Sequence, residues 1–538
     1  MERGFDVLLT QGVPLSSRSG LVIAAGLGVA VVVLGLARRA ERVTAERVGQ
    51  SYVVQVRGQL FAHLTRVPGR RLGAKNRGNM LLKFDGDLNA LRQWVSLGLG
   101  RLLVAGVAVG VAVVAVLAVD VALGLSLGLV LFLGAVVTGA LAPSLLRTTR
   151  RARRHRARLT GEVTERLSNV AVVQAAGQEG RERRRIGRRS VAVAGAMLAR
   201  AKVAGSMRAV AEGTAVAATA VVLLVGAARV GAGAVETATV VAVMSIAGLL
   251  SGYLRDLGRA AEYAAAAAVA RDAVRAFLAV EPAHELNDAP GLAPRGGAIR
   301  LRDVTVLGSL DGVSLSAPAG STVAVVGPNG AGKSSLVAVI ARLLPVDQGS
   351  VWVDHQDVMA CSLRSVRHHV GMATPDLPLL KGSLERNVRY RLPRAEQAAV
   401  DRVTELCALD AVVDALPHGW STDVGEGGSR LSAGQRARVM IARAALGDPA
   451  VLVLDEAEAH LDRHAADVVD RVIADRVGTT LVVTHRLELV ARADLVWHLA
   501  AGRVVEVGAP AEVLAADGPT RLVRRRSWSR EPSTAASR

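Results

Sequence analysis

Gly327-Pro328-Asn329-Gly330-Ala331-Gly332-Lys333-Ser334-Ser335 places three glycines, a lysine and two hydroxyls within nine positions. Glycines at this spacing let a backbone turn until several N–H groups converge, which is how a loop grips phosphate. Only five of the 66 Lys and Arg residues are lysines. A lysine at 333 therefore points to a compact ammonium aimed at β/γ-phosphates rather than to charge in general. Ser334 is the hydroxyl that the G-x-x-x-x-G-K-[ST] pattern assigns to Mg²⁺. About 120 residues later, the apolar run Val451-Leu-Val-Leu ends in Asp455 and Glu456. One carboxylate suits a Mg²⁺ shell and the other the polarisation of water for attack on phosphate. Alone, such a pair is equally well explained by a solvated turn; downstream of a phosphate loop it is not.

These residues need a strand–loop–helix frame, because a helix N-terminus supplies the partial positive charge that favours phosphate. The apolar strand Ser321–Val326 precedes the loop, and the pattern opens a helix at Leu336. Short β-branched runs and helical ones then alternate through Ser334–Leu344, Val451–Leu454 and Leu481–Thr484. That alternation predicts an α/β domain with a largely parallel sheet over 299–518. Pro290, Gly291, Pro294, Gly296 and Gly297 mark an irregular linker over 281–298, and the polar 519–538 reads as a disordered tail.

Residues 1–280 are of another kind. The 538-residue chain is 51% hydrophobic with a formal charge of +19, which argues against a purely soluble enzyme. Five stretches lack charge for long enough to cross ~30 Å of hydrocarbon: Ser19–Ala37, Leu102–Val119, Val121–Leu146, Gly213–Ala228 and Thr237–Leu254. The second and third are separated only by Asp120, and the fourth and fifth only by Arg229–Glu236. The long connections Arg38–Gly100 and Arg147–Arg208 carry the arginines, including 150, 151, 153, 154, 156 and 158. Positive charge marks the cytoplasmic side, so both hairpin tips lie outside and everything after Leu254 is cytoplasmic. The basic excess thus reads as membrane topology rather than nucleic-acid binding, and 3% aromatics leave little to stack on bases. Two cysteines, Cys361 and Cys407, exclude a disulfide framework and a cysteine-based zinc cluster. The last span should continue as a cytoplasmic helix through Ala260–Phe277.

Further motifs carry a family resemblance. Leu431-Ser432-Ala433-Gly434-Gln435 resembles the signature loop of ATP-binding cassette (ABC) proteins. Thr422-Asp-Val-Gly-Glu426-Gly-Gly resembles the loop that precedes it in the exporter branch, and Thr484-His485-Arg486 matches the histidine switch. Asp462 fits the loop after the two carboxylates, although Ala457–Leu461 is an unusual version of it. With the spans, the chain resembles an exporter-type half-transporter of the plasma membrane. The implied fold is an all-α transmembrane bundle followed by an α/β P-loop NTPase, the ABC ATPase domain. The resemblance implies ATP and Mg²⁺ as cofactors, bound by Gly327–Ser335 and Asp455, with Ser334 and Asp455 on the metal. Glu456 and His485 are the catalytic pair it implies. It also implies a second half-transporter as partner, because Ser432, Gly434 and Gln435 would contact nucleotide held mainly by the other chain. Met80–Arg92 and part of Arg147–Arg208 would include the helices that transmit ATPase closure to the membrane.

Three positions depart from the family pattern. Val304–Leu310 has no aromatic to stack on adenine, and stacking is worth on the order of 1–3 kcal/mol per base. Pro375 falls where a glutamine is expected and has no side-chain oxygen to offer, while neighbouring Asp376 is one residue out of register. The five spans match the family's second to sixth, with Phe5–Pro14 standing as a remnant of the first. These departures favour a heterodimer and raise a degenerate, mainly ATP-binding regulatory subunit as the alternative to ATP-driven export. The transported substrate is not legible: spans of Ala, Val, Gly and Leu favour lipidic or peptidic cargo over aromatic cations.

Overall fold

A computed structural model describes residues 18–68, 80, 82–282, 289–457 and 463–515. Phe5–Pro14, Asp462 and the tail 519–538 lie outside the described residues. The chain divides into two compact units, one formed by Met1–Val67 with Leu72–Glu281, the other by Pro68–Arg71 with Pro282–Arg538.

The first unit is helical. Helix α1 spans Arg18–Arg66, α2 Leu88–Gln93, α3 Leu99–Val119, α4 Val121–Ser168, α5 Val170–Ala175, α6 Glu179–Gly231 and α7 Thr237–Leu278. Wider π-type turns at Lys83–Asp87 and Trp94–Gly98 flank α2, so the helix runs unbroken from Lys83 to Val119. Among the described residues, four helices are long and apolar enough to cross a membrane: Lys83–Val119, α4, α6 and α7. The first expected span, Ser19–Ala37, falls on α1, several of whose first side chains lie outside the described residues. The short fourth stretch is one part of the 53-residue α6. Helix α7 ends at Leu278, just before Glu281–Pro282, with proline barred from continuing it.

Asp120 alone links α3 to α4. Its backbone is extended, and its side chain accepts from the Leu123 N–H at 3.0 Å, capping α4. The same carboxylate holds Arg229 of α6 at 2.7 Å, tying the two hairpin tips together. Asp120 is thus a helix cap and an ion-pair partner, rather than a group directed at cargo. At the other end, Leu88 and Leu91 bury against Val53 and Leu60 of α1 and Ala270, Val274 and Phe277 of α7. Asp87 and Arg153 of α4 form a bidentate ion pair there, with Nε donating at 2.8 Å and the carboxylate almost fully buried.

Among the described residues the second unit has ten strands: β1 Ile299–Val306, β2 Leu310–Ala317, β3 Thr322–Val326, β4 Gln348–Val353, β5 Gln356–Asp357, β6 Val370–Ala373, β7 Val451–Asp455, β8 Thr479–Val483, β9 Leu495–Ala500 and β10 Arg503–Gly508. A four-stranded antiparallel sheet runs β2-β1-β4-β5, and a six-stranded sheet runs β10-β9-β3-β8-β7-β6. All pairs of the larger sheet are parallel except β9–β10. Its central strands β7 and β8 are buried along their whole length because both faces are covered, and they are mostly apolar for the same reason. Val451 and Val453 enter the core shared with the antiparallel sheet, while Leu452 and Leu454 enter a second core under the helices on the opposite face. Helix α8, Lys333–Ile340, belongs to the first core and helix α9, Ala433–Ala445, to the second.

Removing one partner of a buried pair strands the other charge, which is worth roughly 3 kcal/mol or more. Asp87→Ala should therefore lower the melting temperature of the detergent-solubilised protein clearly. Asp272→Ala breaks an exposed pair with Arg150 and should cost less than about 1 kcal/mol.

Candidate functional site

Strand β3 lies between β8 and β9, and its C-terminal end delivers Gly327 to the sheet edge. The three loop glycines have φ of 148° at Gly327, 81° at Gly330 and 99° at Gly332. A Cβ on Gly327 would strike the Leu499 carbonyl, and one on Gly332 would meet the Ser309 carbonyl at 2.6 Å. The loop can lie this close to β9 and to the β1–β2 turn only because those atoms are missing. Ala331 is buried and ties the loop down, its carbonyl accepting from Gly502 N–H at 3.1 Å. Pro328, Asn329 and Gly330 stay exposed at the mouth.

Helix α8 starts at Lys333, three residues earlier than the sequence pattern suggests, because left-handed Gly332 closes the loop and Leu336 N–H already bonds to the Gly332 carbonyl at 2.9 Å. Lys333 is 6% exposed, yet its Nζ meets only carbonyls, those of Gly327 at 2.8 Å and Pro328 at 3.1 Å. Burial lowers its pKa, and the carboxylates of Glu456 and Asp455 oppose that shift.

The register brings the acidic pair to the same place. Asp455 aligns with Val483 of β8, which aligns with Val325 of β3. At ~4.8 Å per strand, Asp455 stands level with the start of the loop and about 10 Å across. Side chains alternate along β7, so Asp455 shares the face of Val451 and Val453, the face covered by α8. There it accepts a hydrogen bond from Ser334. Burial raises its pKa, the Ser334 bond lowers it, and the charges of Glu456 and Asp376 raise it further. Glu456 takes a left-handed φ of 49°, with its N–H on the Val483 carbonyl at 3.0 Å. This is a conformation a non-glycine residue holds only where its surroundings fix it. His485 Nε2 lies 3.6 Å from Glu456 Oε1.

Asp376, one residue out of register in the sequence, is nonetheless close enough to act on Asp455. Strand β6 pairs in parallel with β7 and ends at Ala373, opposite Leu454. The next three residues turn over the end of β7, exposing Pro375 and bringing the Asp376 charge within reach of Asp455.

The signature residues stand elsewhere. Ser432 caps α9, accepting from Gln435 N–H at 3.1 Å, while its own N–H bonds Gln435 Oε1 at 2.9 Å. Within the chain, therefore, Gln435 is occupied as half of a capping box rather than free for a ligand. Gly434 is different, since a Cβ there would touch nothing within 4 Å. Helix α9 packs on β6, three strands from β3; at ~4.8 Å per strand that is about 14 Å. One chain does not bring its own signature to its own phosphate loop.

Backbone N–H groups at a helix start, a buried ammonium and a Ser–carboxylate pair fit a polyphosphate and a hard divalent cation. The cation would need phosphate oxygens and water as well, because among the described residues no three His, Cys, Asp or Glu groups converge on one point.

Two family models cover most of the sequence: an ABC transporter transmembrane region over residues 1–254 and an ABC transporter domain over 310–459. The chain belongs to the ABC transporter family. It carries the exporter-type half-transporter arrangement, a multi-pass helical membrane region followed by one ATP-binding ATPase domain. It is 36% identical over 311 residues to the β-(1→2)glucan export ATP-binding/permease protein NdvA of Rhizobium johnstonii, covering 55% of this chain and 52% of that one. It is 37% identical over 253 residues to an ATP-dependent lipid A-core flippase of Aromatoleum aromaticum, covering 45% and 42%. The matches thus span about half or less of these curated relatives. A bacterial Atm1-family ABC exporter with ATP bound shares the fold, with a TM-score of 0.88 at 24% identity, covering 96% of this chain and 92% of that one. Nothing in these likenesses supports the degenerate regulatory reading, and Lys333, Ser334, Asp455, Glu456 and His485 are all assembled.

Gly327→Ala should destabilise the protein by on the order of 3 kcal/mol through strain and collision. Gly434→Ala should leave thermal denaturation unchanged or raise stability by up to about 1 kcal/mol, since it adds a better helix former in open space.

Proposed function

We propose that this chain binds and hydrolyses ATP, with Mg²⁺, to drive export of a substrate across the plasma membrane. The observation that carries the reading is the convergence of Lys333, Ser334, Asp455, Glu456 and His485 on one phosphate loop, in a chain whose other half is membrane helices. The N–H groups of Gly327–Ser335 cradle the phosphates, and Lys333 Nζ leaves the loop carbonyls to meet β- and γ-oxygens. Ser334 and Asp455 would hold the metal, and its positive charge would offset the cost of ionising a buried Asp455. Glu456, fixed by its unusual backbone and by His485, polarises the attacking water, while His485 senses the γ-phosphate. When bound, the metal would supply positive charge to offset that of the phosphates.

Ser432 and Gly434 act on the nucleotide of a second half-transporter. The open space around Gly434 supports this, because nothing within the chain itself requires a glycine there. Pro375 and the aromatic-free Val304–Leu310 favour a different chain as that partner. Aromatic-poor spans favour lipidic or peptidic cargo.

The test is ATPase activity of the purified chain in nanodiscs, alone and as Glu456→Gln. The substitution should reduce turnover by on the order of a hundredfold or more while ATP still binds. A wild-type chain that fails to bind ATP, or a Glu456→Gln variant that turns over normally, overturns the proposal.

A further inference from the structure

We infer that one face of α4 is a binding stripe for anionic lipid headgroups, formed by Arg147, Arg151, Arg154 and Arg158. The inference rests on the plasma-membrane reading under Proposed function, with the arginine-rich connection Arg147–Arg208 on the cytoplasmic side as the sequence charge pattern implies. At 100° per residue, the buried residues Leu123, Leu127, Leu131, Leu145, Thr149 and Ala152 all lie within about 60° of the direction opposite Arg147. Leu125, Leu129, Phe132, Leu133 and Val136 lie within about 60° of Arg147 itself, and each is more than half exposed. The face that the helix turns outward along its apolar length is therefore the face that continues into the four arginines.

Arg150, at the edge of this face about 60° from Arg147, and Arg153, about 120° away, are neutralised by Asp272 and Asp87. Arg151, Arg154 and Arg158 are exposed and have no ion pair among the described residues, and Arg147 donates only to Ser144 Oγ at 3.1 Å. Position and direction fit the headgroup layer. Arg147 lies about 39 Å along α4 from Val121, just beyond a ~30 Å hydrocarbon core. Helical side chains lean toward the helix N-terminus, which for α4 is back toward the membrane. Arginine also matches phosphate oxygens with a planar fork of donors. Arg158 is about 17 Å further on and contributes through a weaker, salt-screened field.

The test uses the full-length protein in bilayers of phosphatidylcholine with a minor share of phosphatidylglycerol, comparing how strongly each spin-labelled lipid is immobilised. The wild type should prefer phosphatidylglycerol by on the order of fivefold at low salt. Changing all four arginines to Gln should bring the preference close to one, and changing them to Lys should keep most of it. Arg181, Arg183, Arg184 and Arg188 changed to Gln should leave it intact, since Arg188 is about 30 Å and Arg181 about 40 Å along α6 from Arg208 at the membrane boundary. A preference that survives the fourfold Gln change, or that falls equally in the distant variant, overturns the inference. Arg151→Gln alone, with an expected partial loss, decides the matter if the fourfold variant does not fold. ATP binding measured on the same samples reports separately on the proposed function.

Discussion

Close backbone contact at Gly327 and Gly332 is the constraint around which the second unit is built. The loop is pressed against the carbonyls of Leu499 and Ser309, so β9 and the β1–β2 turn must be in place before the loop can take its shape. The price is a lysine buried among carbonyls, tolerable because Asp455 and Glu456 stand near it. Those carboxylates reach it only through the β3–β8–β7 register and the side-chain parity of β7. Slipping β7 by one residue would turn Asp455 into the second core and direct Leu454 at the phosphate loop.

The capping box at α9 separates two demands that the sequence presents as one motif. Ser432 and Gln435 satisfy each other, and a soluble helix with no ligand at all would gain from the same pair. Their presence is therefore weak evidence for nucleotide contact. Gly434 is the informative residue: it sits in a helical first turn with open space around it, where alanine would be the better helix former. The protein gives up that stability without an internal reason.

The site was largely legible in sequence because its chemistry is local. Phosphate loop, acidic pair and histidine each occupy a few adjacent residues, and the strand–loop–helix context follows from short-range pattern. Long-range geometry was not legible. The start of α8 depended on the left-handed Gly332, and the relevance of Asp376 depended on β6 ending one residue short of Asp455. The ion pairs Arg153–Asp87 and Arg229–Asp120 join residues 66 and 109 positions apart, a pairing no local pattern encodes. The first membrane stretch, by contrast, shows as an uncharged run in sequence and as the beginning of α1 in the fold.

Those two ion pairs also explain how so basic a chain can pack a helical core. Arg153 of α4 and Arg229 of α6 turn toward neighbouring helices and each meets a carboxylate, because an unpaired charge there would carry its full desolvation penalty. The net +19 therefore does not measure repulsion inside the bundle. On α4 the unpaired Arg147, Arg151, Arg154 and Arg158 gather on one outward face, a distribution that suits a protein held at an anionic surface and lets the apolar helix faces be read without reference to the total charge.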